Sequence, residues 1–231
     1  MSTRDFSAEI KTRWGMEQTD LVVNFQPVSK GTKDQGTTPS YTSDGKLSVN
    51  IAYDPAMDGD ILWHEGAHAY LFHLGYPPVW PTPRTHSIGM PLDVINEYVA
   101  TKLEVDRRYE TQSERTEVLR HRLDNALKPL PMRPHQPHPG SGSLAVAAAI
   151  YGEVARQWTV DLALEANQHL AKTPPKLNTM YWAAVETIRQ APAIPFGSAR
   201  LTDANITAIK SLISTSFAKI YGEAYAVRFE P

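Results

Sequence analysis

His64, Glu65 and His68 are the residues of this chain whose types and spacing can do chemistry, a His-Glu-x-x-His pattern inside the apolar stretch Ile61-Leu62-Trp63-His64-Glu65-Gly66-Ala67-His68-Ala69-Tyr70-Leu71. Residues four apart on a helix stand on one face, so both imidazoles can reach a single ion, with Glu65 flanking it. Water held by Zn2+ has a pKa near 7 rather than about 15.7, and a carboxylate beside it can take its proton during attack. Glu65 is therefore the expected general base. The competing reading is a helix with two partly buried histidines bonded to carbonyls and an exposed glutamate; the glutamate lying between histidines on an apolar helix weighs against it. Gly66 costs about 1 kcal/mol against alanine inside a helix, and room beside the metal is one reason to carry it.

The helix around this motif has expected ends: Asp58 or Asp60 as N-cap, and Gly75 with Pro77 and Pro78 as the stop. That places the motif in mid-helix. His73, nine positions after His64, points elsewhere and reads as a rim or surface histidine. A catalytic zinc keeps one position for water, so a third protein ligand is needed. Glu97 is the choice, in the apolar-periodic segment Pro91 to Thr101 that a proline opens. A solvated helix glutamate is its plain alternative, the reading given to Glu104, Glu110, Glu114 and Glu117. His86, on the proline-rich stretch Tyr76 to Met90, is the competing ligand, or else a substrate contact or a loop histidine.

His64-Glu65-x-x-His68 followed by Asn96-Glu97 resembles the gluzincin metallopeptidases, in which a glutamate on the next helix completes the site. The gap of 29 positions from His68 to Glu97 is closer to the compact ImmA/IrrE-type metallopeptidases than to the thermolysin branch. The resemblance spans about Lys46 to Arg108. It implies His64, His68 and Glu97 as ligands of one Zn2+, Glu65 as the base, and a zincin-like small mixed sheet beside the active-site helix. Thr101 stands where thermolysin-like proteins carry an aspartate that orients a zinc histidine, which leaves Asp93 or Asn96 for that contact. Gluzincins also draw an oxyanion donor from downstream. Tyr98, Tyr151, Tyr181 and Tyr221 all lie in helical contexts that suit core packing, and the role stays unassigned.

Around these residues, a helix is expected over Ser7 to Trp14 and a strand over Leu21 to Phe25, followed by a mobile Gly/Thr/Ser-rich loop from Gly31 to Asp44. Gly45 to Asp54 alternates apolar with polar residues and reads as a half-buried strand, either a sheet edge that a peptide could extend or a strand paired on both sides. Further helices are expected over Asp93 to Leu127, Leu144 to Leu170, Asn178 to Gln190 and Thr202 to Ala226, the last with a core-facing stripe Ile206, Ile209, Leu212, Ile213, Phe217 and Ile220. The fold class is α+β, mainly α: a catalytic lobe (1–128), a Pro/His/Gly-rich linker or lid (129–143) and an all-helical lobe (144–231) packed into one unit. His135 and His138 on the linker read as surface histidines rather than ligands.

The chain has 231 residues and no cysteine, so a metal must rest on nitrogen and oxygen ligands. A net charge of -2 argues against nucleic acid or an anionic membrane as partner. Arg107, Arg108, Arg115, Arg120 and Arg122 alternate with glutamates and read as a solvated face. No stretch reads as a signal peptide or membrane span, which implies cytoplasmic synthesis, with signal-independent export left open. The leading expectation is a zinc peptidase acting on a protein or peptide. A zinc hydrolase of a non-peptide amide and a metal-clamped binding module are the alternatives.

Overall fold

The structure is a computed structural model that describes residues 6–27, 36–53, 62–82, 92–138, 140–193, 200–222 and 226–229. The proposed caps Asp58 and Asp60, the competing ligand His86 and the helix-opening Pro91 lie outside these residues. Among the described residues there are eight helices, a three-stranded mixed sheet and a two-stranded ribbon, an α+β fold that is mainly α. No described helix is long and apolar enough to cross a membrane. By compactness the chain divides into two units, one of residues 1–78 with 195–201, the other of residues 79–194 with 202–231. The 129–143 segment thus falls inside the second unit.

The first unit contains helix α1 (Phe6–Trp14), strands β1 (Val22–Pro27), β2 (Gly36–Tyr41) and β3 (Leu47–Tyr53), and helix α2 (His64–His73). The strand order is β1-β3-β2, with β1 parallel and β2 antiparallel to β3. The strand before the motif is therefore central and not the edge that a peptide could extend. Residues 36–41, expected in a mobile loop, form edge strand β2. Pro39 obscured it, since proline cannot donate to a ladder, but an edge strand tolerates it. One face of the sheet carries a polar row in which Asn24 donates to Asn50 (3.0 Å) and Asn50 to Ser40 (2.8 Å). The other face presents Val23, Val49 and Ile51, buried with Ile10, Trp14 and Leu71 in this unit's core.

The second unit is built around α5 (Ser141–Ala155), whose buried Ala145, Ala148, Ala149 and Ala155 let neighbours approach on several sides. It packs with α3 (Val94–Arg108), α4 (Gln112–Leu127), α6 (Asp161–Leu170) and α7 (Pro175–Gln190), and α8 (Asp203–Tyr221) packs on α7. Three expected helices need correction. The single helix over Asp93–Leu127 is two, because Tyr109 is extended and Thr111 and Glu114 form a capping box that starts α4. Leu144–Leu170 is likewise α5 and α6, separated by the turn 156–160. The last helix stops at Tyr221, ahead of Gly222 with φ 108°, and Ala226–Phe229 becomes β5, antiparallel to β4 (Val79–Thr82), so this part is not all helix. Within the stripe of α8, Ile209, Ile213, Phe217 and Ile220 are buried as expected. The 129–138 stretch has no regular structure, yet Arg133 ties it to the α6–α7 turn through bonds to the carbonyls of Lys172 (3.1 Å) and Thr173 (2.7 Å). His135 and His138 are exposed.

Two carboxylates expected or available as surface groups are buried. Glu104 is fully buried and gripped by Arg122 through two bonds of 2.8 and 2.5 Å, with Arg108 at 3.5 Å; the carboxylate holds the Arg122 guanidinium above its ordinary pKa. Glu104 is thus not solvated, and Arg122 is half-buried. Glu153 on α5 is held similarly by Arg189 of α7 at 2.8 and 3.1 Å. Removing one partner of a buried pair strands the other, typically at about 3–5 kcal/mol. Arg122→Met should accordingly lower the urea-unfolding free energy by roughly 3 kcal/mol, and adding Glu104→Leu should recover much of that loss.

Candidate metal centre

The motif helix starts at its first histidine. Trp63 is the N-cap of α2, accepting from the Ala67 amide at 3.0 Å, with no side-chain cap. His64 is therefore the first helical residue, and the motif is not in mid-helix. The reason lies one residue earlier, at Leu62, whose carbonyl would accept from Gly66 if the helix ran further back. That carbonyl instead takes the indole N–H of Trp14 at 3.1 Å. At the other end the expected stop is found: Gly75, at φ 96°, donates to Phe72 O, and Tyr76 to Leu71 O, a Schellman closure.

Gly66 has a packing reason rather than a metal reason. A Cβ built on it would stand 2.3 Å from Trp14 Nε1 and 2.8 Å from Cδ1, so the indole occupies the space a side chain would need. Trp14 is 1% exposed and also packs against Tyr70 (centroids 5.6 Å apart) and Trp63 (6.4 Å). These contacts fix the azimuth of α2 and with it the direction in which His64 and His68 project.

The two Nε2 atoms stand 3.3 Å apart, with the rings nearly perpendicular at 89°. Two nitrogens bound at zinc distance to one tetrahedral ion are about 3.3 Å apart, so the pair has the separation the ion requires. The same distance also admits a weak hydrogen bond between the two rings. His68 is buried at 6% exposure and His64 half-buried. Glu97 is half-buried in the first turns of α3. Ligand atoms of His64, His68 and Glu97 all lie within 4.8 Å of one another, and this group could hold a metal ion. Two imidazole nitrogens and a carboxylate oxygen are a donor set that zinc accepts.

No protein-family model, no curated protein and no solved structure matches this chain. Asp93 is the N-cap of α3: its Oδ1 accepts from the amides of Ile95 (3.2 Å) and Asn96 (3.3 Å). Tyr221, considered as an oxyanion donor, has its hydroxyl on Leu92, accepting from the amide at 2.7 Å and donating to the carbonyl at 3.0 Å. It fixes the residue just before the cap, and so the start of the helix that bears Glu97. Tyr181 donates to Asn167, and burial raises the hydroxyl pKa of both Tyr98 and Tyr181.

Glu65 is in the first turn of α2, and Thr37 of β2 donates to its Oε2 at 2.5 Å. Thr37 was missed because it lay in the presumed loop; the alternation of Thr37, Pro39 and Tyr41 is the signal that could have found it. His73 stands apart from the pair, with Nδ1 3.0 Å from Thr19 Oγ1.

Burial, and secondarily the charge of Arg200, lowers the His73 pKa from 6.5. Below pH 6.5 the unfolded chain takes a proton that the folded His73 resists, so stability is full above that pH and falls as pH drops through the window beneath it. His73→Gln should flatten this acid limb in pH-dependent urea titrations. Gly66→Ala should lower the melting temperature, at a cost of about 1–3 kcal/mol for forcing a methyl into filled space, and shift Trp14 emission.

Proposed function

We propose that the chain is a zinc-dependent peptidase of gluzincin type, with His64, His68 and Glu97 as ligands and Glu65 as general base. The observation that carries this reading is the 3.3 Å separation of the two Nε2 atoms, with the carboxylate-bearing residue of the motif directly after the first histidine. Zinc, when bound, would supply a Lewis acid that polarises the scissile carbonyl and acidifies the attacking water. Glu65 takes the proton from that water and returns it to the nitrogen of the departing amine, so one carboxylate serves as base and then as acid. His64 and His68 contribute neutral nitrogen donors, and Glu97 a negative charge.

Edge strand β2 supports a peptide as substrate. In the order β1-β3-β2 it has one described neighbour, and its Thr37 bonds to the motif glutamate, so its outer edge runs near the chemistry. An extended peptide can add to such an edge through main-chain hydrogen bonds, which read the backbone rather than side chains.

The test is elemental analysis joined to hydrolysis of labelled casein. Wild type should carry one zinc, and His68→Ala and Glu97→Ala should each lose it. Glu65→Gln should keep zinc and lose about 10²- to 10⁴-fold in turnover, the usual worth of a positioned base. Folded wild type that takes up no zinc when supplied would return the motif to coincidence.

A further inference from the structure

Thr37 sits on the side of β2 that carries the buried residues. It pairs with Ile51 of β3, and Pro39, next along the same face, is buried and pairs with Val49. Packing alone would take a valine here, which has nearly the same shape. Threonine adds a hydroxyl, and that hydroxyl lies 2.5 Å from Oε2 of Glu65 and 3.5 Å from its carbonyl oxygen. The donor is well anchored, because the register of β2 on β3 fixes its backbone and a β-branched side chain has few χ1 states. The acceptor is not: a glutamate in the first turn of a helix has three side-chain torsions and can sweep a wide arc.

We propose that Thr37 is a positioning residue for Glu65, holding one carboxylate oxygen so that Oε1 is presented for proton transfer. The inference rests on the peptidase reading for its catalytic consequence. The Thr37 proton stays on its hydroxyl throughout; Oε1 takes the proton of the attacking water and passes it to the leaving amine. In this role Thr37 acts through Glu65. It also couples the base to β2, so that the strand edge a peptide would extend and the carboxylate that would cleave it are set by one residue.

The test compares zinc-loaded wild type, Thr37→Val and Thr37→Ser on fluorescein-labelled casein. It adds zinc content for each, and the urea midpoints of the metal-free proteins with Thr37→Val placed in both the Glu65 and the Glu65→Ala backgrounds. Thr37→Val is expected to keep one zinc and an unchanged KM while kcat falls about tenfold to a hundredfold, the scale of a misplaced reacting group. Thr37→Ser, which keeps the hydroxyl, should recover most of the loss. The valine substitution should lower the midpoint in the Glu65 background and leave it in place in the Glu65→Ala background. Wild-type kcat in Thr37→Val, loss of its zinc, or equal midpoint drops in both backgrounds would overturn the proposal. Zinc-loaded wild type that leaves casein uncut while the midpoints remain coupled would sink the peptidase reading and uphold the hold of Thr37 on Glu65.

Discussion

The geometry of the histidine pair depends on the contact between the Trp14 indole and Gly66. One ring closes the space over the glycine, accepts packing from Tyr70 and Trp63, and turns the Leu62 carbonyl out of the helix that would otherwise continue backward. The beginning of α2 is thereby set at His64, and the i, i+4 stacking of the imidazoles follows from helix geometry alone. A motif of this kind is a statement about spacing, and spacing becomes geometry only once something outside the motif fixes the azimuth of its helix. Here that is a side chain about fifty positions upstream.

The second unit solves a related problem by different means. Its central helix α5 is rich in alanine and offers little side-chain bulk to register its neighbours, and Gly152 brings α6 closer still, with Ala163 Cα 3.4 Å from where a Cβ would be. Two forked carboxylate–arginine pairs, Glu104 with Arg122 and Glu153 with Arg189, cross between helices where apolar contacts are smooth. Directional bonds of this kind add little net stability over apolar packing but penalise a helix that slides, since a slipped register would leave a charge buried alone.

Much of the site could be read in the sequence because its signals are local. The Gly75 stop, the start of the last helix at Thr202 and strand β3 each depend on a few adjacent residues, and each is present where expected, whereas the motif begins its helix and does not sit within it. What could not be read is tertiary. Glu104 has an arginine four positions on, as any solvated helix glutamate might, and its burial is matched by Arg122 from the next helix. Edge strand β2 was hidden by Pro39, and with it went Thr37. The break before α4 is a different case: the pattern Thr111-x-x-Glu114 is a local capping signal, overridden in reading by the continuous charge pattern on either side.

The Tyr221 clamp on Leu92 has a temporal meaning. The helix of the two histidines packs against α1 and β2, but its C-cap, Leu74, accepts from the amide of Leu201 at 2.8 Å, so it too is completed by a segment far along the chain. The start of α3, and with it the carboxylate of Glu97, waits for a tyrosine 129 residues beyond the backbone it holds. Both helices that bear the candidate ligands are thus tied to residues beyond 200, which makes the complete ligand set a late product of folding.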